Sequence, residues 1–247
     1  MTISEPDLEA TRGVLFDLDG TLLQVEMGKF IPAYVSGLAG HFADRVAAEP
    51  FARTLLAGIR TLLAGTDATV SNEEQLLSLV ERELGIAPDE FRARFRAFVD
   101  DGMARLRPLV RALPLARNIL ARCFARGMKV AIATNPVFPR ALVDARLTWG
   151  GIDDFPFDLV TSVENSCCCK PQPGYFLEVA ATLGLKPGEC LMVGNDTEHD
   201  LAARQVGIPT FLVDTWLEDR CCGRYASDFR GGHTDLFRLL GRLGASC

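Results

Sequence analysis

The stretch Val14-Leu15-Phe16-Asp17-Leu18-Asp19-Gly20-Thr21-Leu22 decides the architecture of this chain. Its first three residues form an apolar run too short for a helix, which predicts a buried strand. The run ends on Asp17, and Gly20 marks a sharp turn just beyond it. In open parallel sheets ligands sit outside the carboxyl ends of the strands, so a carboxylate in that place is a candidate functional group.

Reading outward, the sequence changes character. Phe30, Tyr34, Leu38, Phe42 and Val46 recur every fourth residue, which puts them on one helical face. Pro50 ends that helix or opens the next, where Leu55, Leu56, Ile59 and Leu63 form a second stripe. Ser71 and Glu74 form a capping box ahead of Leu76, Leu77, Val80 and Leu84. Pro88 suits a first helical turn, and Phe91, Phe95, Phe98 and Val99 follow it. Residues 29–101 therefore read as helix after helix. Beyond Pro108 the pattern alternates: helix 115–126, strand 129–133, helix 139–149, strand 157–161, helix 174–183, strand 190–193, helix 198–206 and strand 210–213. Short apolar strands alternating with helices predict an α/β fold, a doubly wound parallel sheet covered on both faces. Residues 1–23 and 109–247 would form this Rossmann-like core, with residues 24–108 inserted as an all-helical domain.

The chain has 247 residues, 48% hydrophobic, and a formal net charge of -6. That length allows a core and a smaller second unit. A mildly acidic chain with scattered Lys and Arg repels nucleic acid and anionic membranes, so neither is an expected partner. Residues Met1 to Thr11 are polar and acidic, and no apolar stretch reaches bilayer-spanning length, so a cytoplasmic location is expected. The 8 cysteines are Cys123, Cys167-Cys168-Cys169, Cys190, Cys221-Cys222 and Cys247. Adjacent cysteines lack the spacing of zinc ligands, and a reducing compartment disfavours disulfides. They are read as reduced side chains in the core or on loops.

Four predicted strand ends carry polar groups suited to one task. Asp17 and Asp19, two residues apart, can face one small volume, where one attacks phosphorus and the other protonates the leaving oxygen. Ala133-Thr134-Asn135 offers a hydroxyl and amides for phosphate oxygens. Lys170, followed by Pro171, places a cation beside a loop. Gly194-Asn195-Asp196, with Asp200 four residues after Asp196, could hold a hard divalent cation through oxygen ligands.

With these four motifs in this order, the sequence resembles the haloacid dehalogenase superfamily, in its phosphatase branch with a helical cap inserted after the first core strand. FDLDGTL is the most specific of the motifs. The resemblance covers essentially the whole chain. It implies a magnesium-dependent hydrolase of a small phosphorylated metabolite, working through an aspartyl-phosphate. Asp17 would be nucleophile and magnesium ligand, and Asp19 general acid then base, with its carbonyl on the metal. Thr134 and Lys170 would bind the phosphoryl group, with Thr21 and Asn135 beside them. Asp196 would complete the metal site, and Asp200 would orient its water shell or Lys170. Members often carry an acid directly after the fourth-motif glycine, where this chain has Asn195. A shift of one residue makes Asn195 the metal-facing group, whereas the charged oxygen favours Asp196.

The rival readings are a phosphomutase of the same family and a non-catalytic protein binding a phosphate ligand. A dehalogenase is disfavoured, because halide leaves without a proton and gives Asp19 no task. His199 is read as a solvent-facing residue at a helix start, and His41 and His233 have no catalytic partner. The Phe91, Phe95 and Phe98 stripe is read as packing. Either a monomer or a homodimer is consistent with the sequence.

Overall fold

At the centre of the structure lies β1, Gly13–Phe16, whose four residues are all buried. The computed structural model describes residues 8–65, 68–220 and 223–243. On one side β1 pairs with β4, Lys129–Ile132, and on the other with β6, Cys190–Gly194, both parallel. Phe16 stands opposite Ile132 and Val193. The sheet continues through β5, Leu159–Val160, beyond β4, and through β7, Thr210–Val213, and β8, Phe229–Gly231, beyond β6. The order is β5-β4-β1-β6-β7-β8, parallel throughout. The chain moves outward on one side of β1 and then returns to its other side, so the carboxyl end of β1 is the switch point.

Side chains along β1 alternate between two apolar layers, as a strand period of two requires. Val14 and Phe16 pack in the layer of helices Ala116–Ala125, Arg140–Trp149 and His233–Leu240, while Leu15 packs in the layer of Pro173–Thr182. These are α5, α6, α8 and α7.

The insert comprises α1 (Met27–Gly40), α2 (Ala48–Ala64), α3 (Asn72–Leu84) and α4 (Pro88–Asp101), then the 3-10 helix Met103–Leu109. Ser71 caps α3 in the expected capping box, and Pro88 opens α4. Phe42 stacks on Phe51 at 4.6 Å and meets Phe91 at 5.4 Å, and Phe98 packs on Tyr34. The aromatic stripe is core. Two short strands that form a ribbon, β2 (Leu23–Val25) and β3 (Val110–Ala112), carry the chain into and out of the insert. A second attachment lies at the start of α3. Asn72 and Glu73 donate their amides to Ser166 O and Val163 O, both at 2.8 Å, and Asn72 Nδ2 donates to Pro136 O at 3.0 Å. The core thus satisfies amides that a helix start leaves orphaned.

Some elements differ from the sequence reading. The helix expected over 198–206 is a turn followed by the 3-10 helix Leu201–Val206, because the backbone first wraps around Asp196 and Asp200. The helix expected to carry Phe42 and Val46 ends at Gly40. β2, β3, β8 and α8 were not anticipated. Cys221, Cys222 and Cys247 lie outside the described residues. Cys123, Cys168, Cys169 and Cys190 are free thiols. Burial pushes Cys123, Cys169 and Cys190 up to about 12, so at neutral pH they are inert thiols. Among the described residues, no helix is long and apolar enough to cross a membrane.

Candidate active site

Asp17 continues β1 by one residue, donating its amide to Val193 O at 2.8 Å. The chain then turns at Gly20, which has φ +90°, and a Cβ there would stand 2.3 Å from Asn195 Nδ2. Glycine is therefore required on both conformational and steric grounds. The turn brings Thr21 Oγ1 to 3.4 Å from Asp17 Oδ2 and 3.2 Å from Asn195 Oδ1. Its single proton serves one of them at a time.

Lys170 is the charge centre of the site. Its Nζ lies 2.7 Å from Asp17 Oδ1 and 2.7 Å from Asp200 Oδ1, and the residue is 1% exposed. Burial works against its ammonium, but the two carboxylates outweigh this and raise its pKa. Asp200 is pushed above the usual carboxylate range by burial, with Lys170 pulling the other way. Its Oδ2 accepts the Asp196 amide at 2.9 Å. This approach needs Gly194, where a Cβ would fall 2.1 Å from Asp200 Oδ2. Asn135 holds the Lys170 backbone by accepting its amide at 3.1 Å. Thr134 follows β4, its carbonyl accepting from Thr161 Oγ1 at 2.6 Å and from the Tyr175 hydroxyl at 2.9 Å.

These residues border a cavity of about 770 Å³ between the strand ends and the insert. Asp17, Asp19, Thr134, Asn135, Lys170, Asn195, Asp196 and Asp200 all line it, and Thr21 lies beneath. Asp196 and Asn195 are differently engaged. Asp196 Oδ1 accepts the amides of Glu198 and His199, both at 2.9 Å, and Oδ2 pairs with Arg220. Burial alone would raise its carboxyl, but His199, the amides and Arg220 hold it below the ordinary range. Asn195 keeps Oδ1 toward Thr21 and donates Nδ2 to Trp216 O at 2.7 Å.

Among the described residues, no three His, Cys, Asp or Glu side chains surround one point. Magnesium does not need such a cage, since it retains waters and takes one or two carboxylates. The oxygen donors around Asp17 and Asn195 fit that ion.

Besides Arg220, two residues of the site, Arg146 and His233, were not foreseen. Arg146 of α6 is fully buried and ion-pairs with Asp19 Oδ2. Its signal in the sequence was a charge on the apolar stripe of Leu142, Val143 and Leu147. Burial raises the Asp19 pKa, and Arg146 opposes the shift. His199 is half-buried beside Asp196, 3.4 Å from Oδ2, rather than facing solvent. His233, on α8, sets Nε2 2.8 Å from Thr21 O and Nδ1 3.1 Å from Thr215 Oγ1. Since the carbonyl can only accept, Nε2 donates to it, while Nδ1 shares a hydrogen bond with the Thr215 hydroxyl. The imidazole clasps the Gly20 turn to the C-terminal helix. Burial lowers its pKa below 6.5. A histidine depressed in the folded state adds stability that is present above the unfolded pKa and lost as pH falls through the folded one. The unfolding free energy in urea should therefore decline below about pH 6.5, less steeply in His233→Asn. Identical slopes would exclude this role.

Residues 11–207 match the family of haloacid dehalogenase-like hydrolases. The chain belongs to that family. It is similar to suppressor of quenching 1 of Arabidopsis thaliana, 26% identical over 88% of this chain, although it spans only 19% of that relative. It is also similar to a phosphoglycolate phosphatase of Pectobacterium atrosepticum, 29% identical over 81% of this chain and 78% of the relative. Among solved structures, a haloacid dehalogenase phosphatase of Thermococcus onnurineus superposes with a TM-score of 0.58 at 22% identity, covering 94% of this chain and 98% of that one. That likeness speaks for the fold. The α/β sheet carries the strand ends of the site, and an all-helical insert lies between β2 and β3.

Proposed function

We propose that this hydrolase cleaves the phosphate monoester of a small molecule through an aspartyl-phosphate on Asp17. The observation that carries the reading is the Asp17 carboxylate at the end of the central strand, facing the cavity, with Lys170 at 2.7 Å. A phosphate dianion repels a carboxylate, so attack needs positive charge held on the phosphoryl oxygens. Lys170 supplies part of it, positioned by Asp200 and by the Asn135 contact. Asp17 and Asn195, with the Asp19 carbonyl, would hold magnesium, and Asp196 would join them on releasing Arg220. When bound, the ion supplies further charge neutralisation at the phosphoryl group.

In the first step an Asp17 oxygen bonds to phosphorus and the ester P–O bond breaks. Asp19 gives its proton to the leaving oxygen. Its Oδ2 is anchored by Arg146, and Oδ1, without a partner among the described residues, is the atom able to carry that proton. Burial, which raises the Asp19 pKa, favours the protonated form this step needs. In the second step Asp19 takes a proton from water, the water oxygen bonds to phosphorus, and the bond to Asp17 breaks. Phosphate and the starting carboxylate are regenerated. Thr134, which lines the cavity, would donate to a phosphoryl oxygen, while Thr21, buried beneath, holds Asp17 or Asn195. The cap over the cavity limits the substrate to a small molecule and excludes bulk water.

The test is phosphate release from a panel of phosphorylated metabolites, with magnesium or with chelator. Release that requires magnesium is the expected result. A folded protein that releases phosphate from no compound overturns the reading.

A further inference from the structure

We infer that the ligand of this cavity carries an apolar, uncharged body, and that a second anionic group counts against binding. The inference rests on the proposed phosphoryl site, since it concerns the rest of the molecule bound there.

Size is the first argument. A phosphoryl group at Asp17 and Lys170 occupies a small part of about 770 Å³, and that volume is typical of pockets for much larger ligands. The chemistry of the walls is the second. Ile59 and Leu63 of α2, Met27 and Ile31 of α1, and Phe138 and Trp216 of the core loops face the cavity. The cap side thus offers mainly hydrocarbon to whatever the phosphate is attached to.

Charge is the third argument. The lining Lys and Arg residues among those described are Lys29, Lys170 and Arg220. Lys170 is already engaged by two carboxylates. Once Asp196 releases it for the magnesium site, Arg220 still has Glu218 at 3.2 Å, and Lys29 lies 2.6 Å from Glu26. Glu26 and Glu218 line the same cavity, so two carboxylates offset the two remaining cations. The residues outside the described set contain no Lys or Arg. A carboxylate or second phosphate on the ligand would lose hydration and gain no unmatched cation. An alkyl or aromatic body would gain from burial.

Two measurements separate this inference from the phosphatase reading. The first is calorimetric binding of ethylphosphonate, butylphosphonate, hexylphosphonate and phosphonoacetate to the full chain with magnesium, which needs no turnover. Affinity should rise roughly fourfold per added methylene, about 250-fold over the four methylenes from ethyl to hexyl. Phosphonoacetate should bind more weakly than hexylphosphonate. Leu63→Asp, on the cap wall, should cut the hexyl-to-ethyl ratio about tenfold. A flat series, or phosphonoacetate as the tightest ligand, overturns the inference. The second is phosphate release from ethyl, butyl and hexyl phosphate, whose leaving groups are similar in acidity, against phosphoglycolate. kcat/KM should follow the binding order, and a preference for phosphoglycolate over hexyl phosphate overturns the inference. The expected binding order without any phosphate release would sustain the apolar site and remove the phosphatase.

Discussion

Asp17→Asn is expected to lower phosphate release by roughly four orders of magnitude or more, as loss of a covalent nucleophile does elsewhere, while leaving the fold intact. The amide is close in shape to the carboxylate but far less nucleophilic. The structural consequence is mild because Lys170 is held twice. Removing the Asp17 charge leaves the 2.7 Å pair with Asp200 and ends the repulsion between two buried carboxylates that share one ammonium. The urea midpoint of the variant should equal or exceed that of the parent. Phosphate release and urea unfolding, measured on one preparation, check both halves. Residual activity above about 1% would mean that another group attacks phosphorus.

The sheet and its ligand edge were legible because apolar runs such as Val14-Leu15-Phe16 and Leu191-Met192-Val193 are buried on both faces and need no tertiary context. The cap helices were legible because Ser71 with Glu74 and Pro88 are local signals that the structure uses locally. β2, β3 and β8 are three residues each, too short for periodicity to register, and they exist only because a partner strand lies alongside. The candidate site was legible as a set of strand ends but not as a set of partners. Nothing local announces that Arg220 engages Asp196, that His233 reaches Thr21 from 212 residues away, or that Asn195 turns toward Thr21. Those pairings are products of topology. Arg146 alone left a trace, as a charge where an apolar residue was due.

That charge carries the other large expected effect. Arg146→Met should destabilise the protein by about 3–5 kcal/mol, a large share of the roughly 5–15 kcal/mol that holds a domain together. For a chain of this length the loss is about 6–20 °C in Tm. The guanidinium is fully buried, with its Nε donating to Leu142 O at 3.3 Å and its face 4.8 Å from the Phe138 ring and 5.5 Å from Phe30. Methionine fills some of that space but leaves the Asp19 carboxyl, 8% exposed, without its counter-charge and still facing Asp17. If the cost arises from the orphaned carboxyl and not from lost packing, Arg146→Met combined with Asp19→Asn should recover most of the stability, because removing both members of a buried pair is commonly near neutral. Arg146→Lys should fall between, since its ammonium can reach Asp19 but cannot lie flat against the two rings. Urea unfolding of the parent, Arg146→Met, Asp19→Asn and the double variant completes the cycle. Additive losses would assign the energy to packing around α6, whereas a coupling of several kcal/mol would assign it to the Arg146–Asp19 pair.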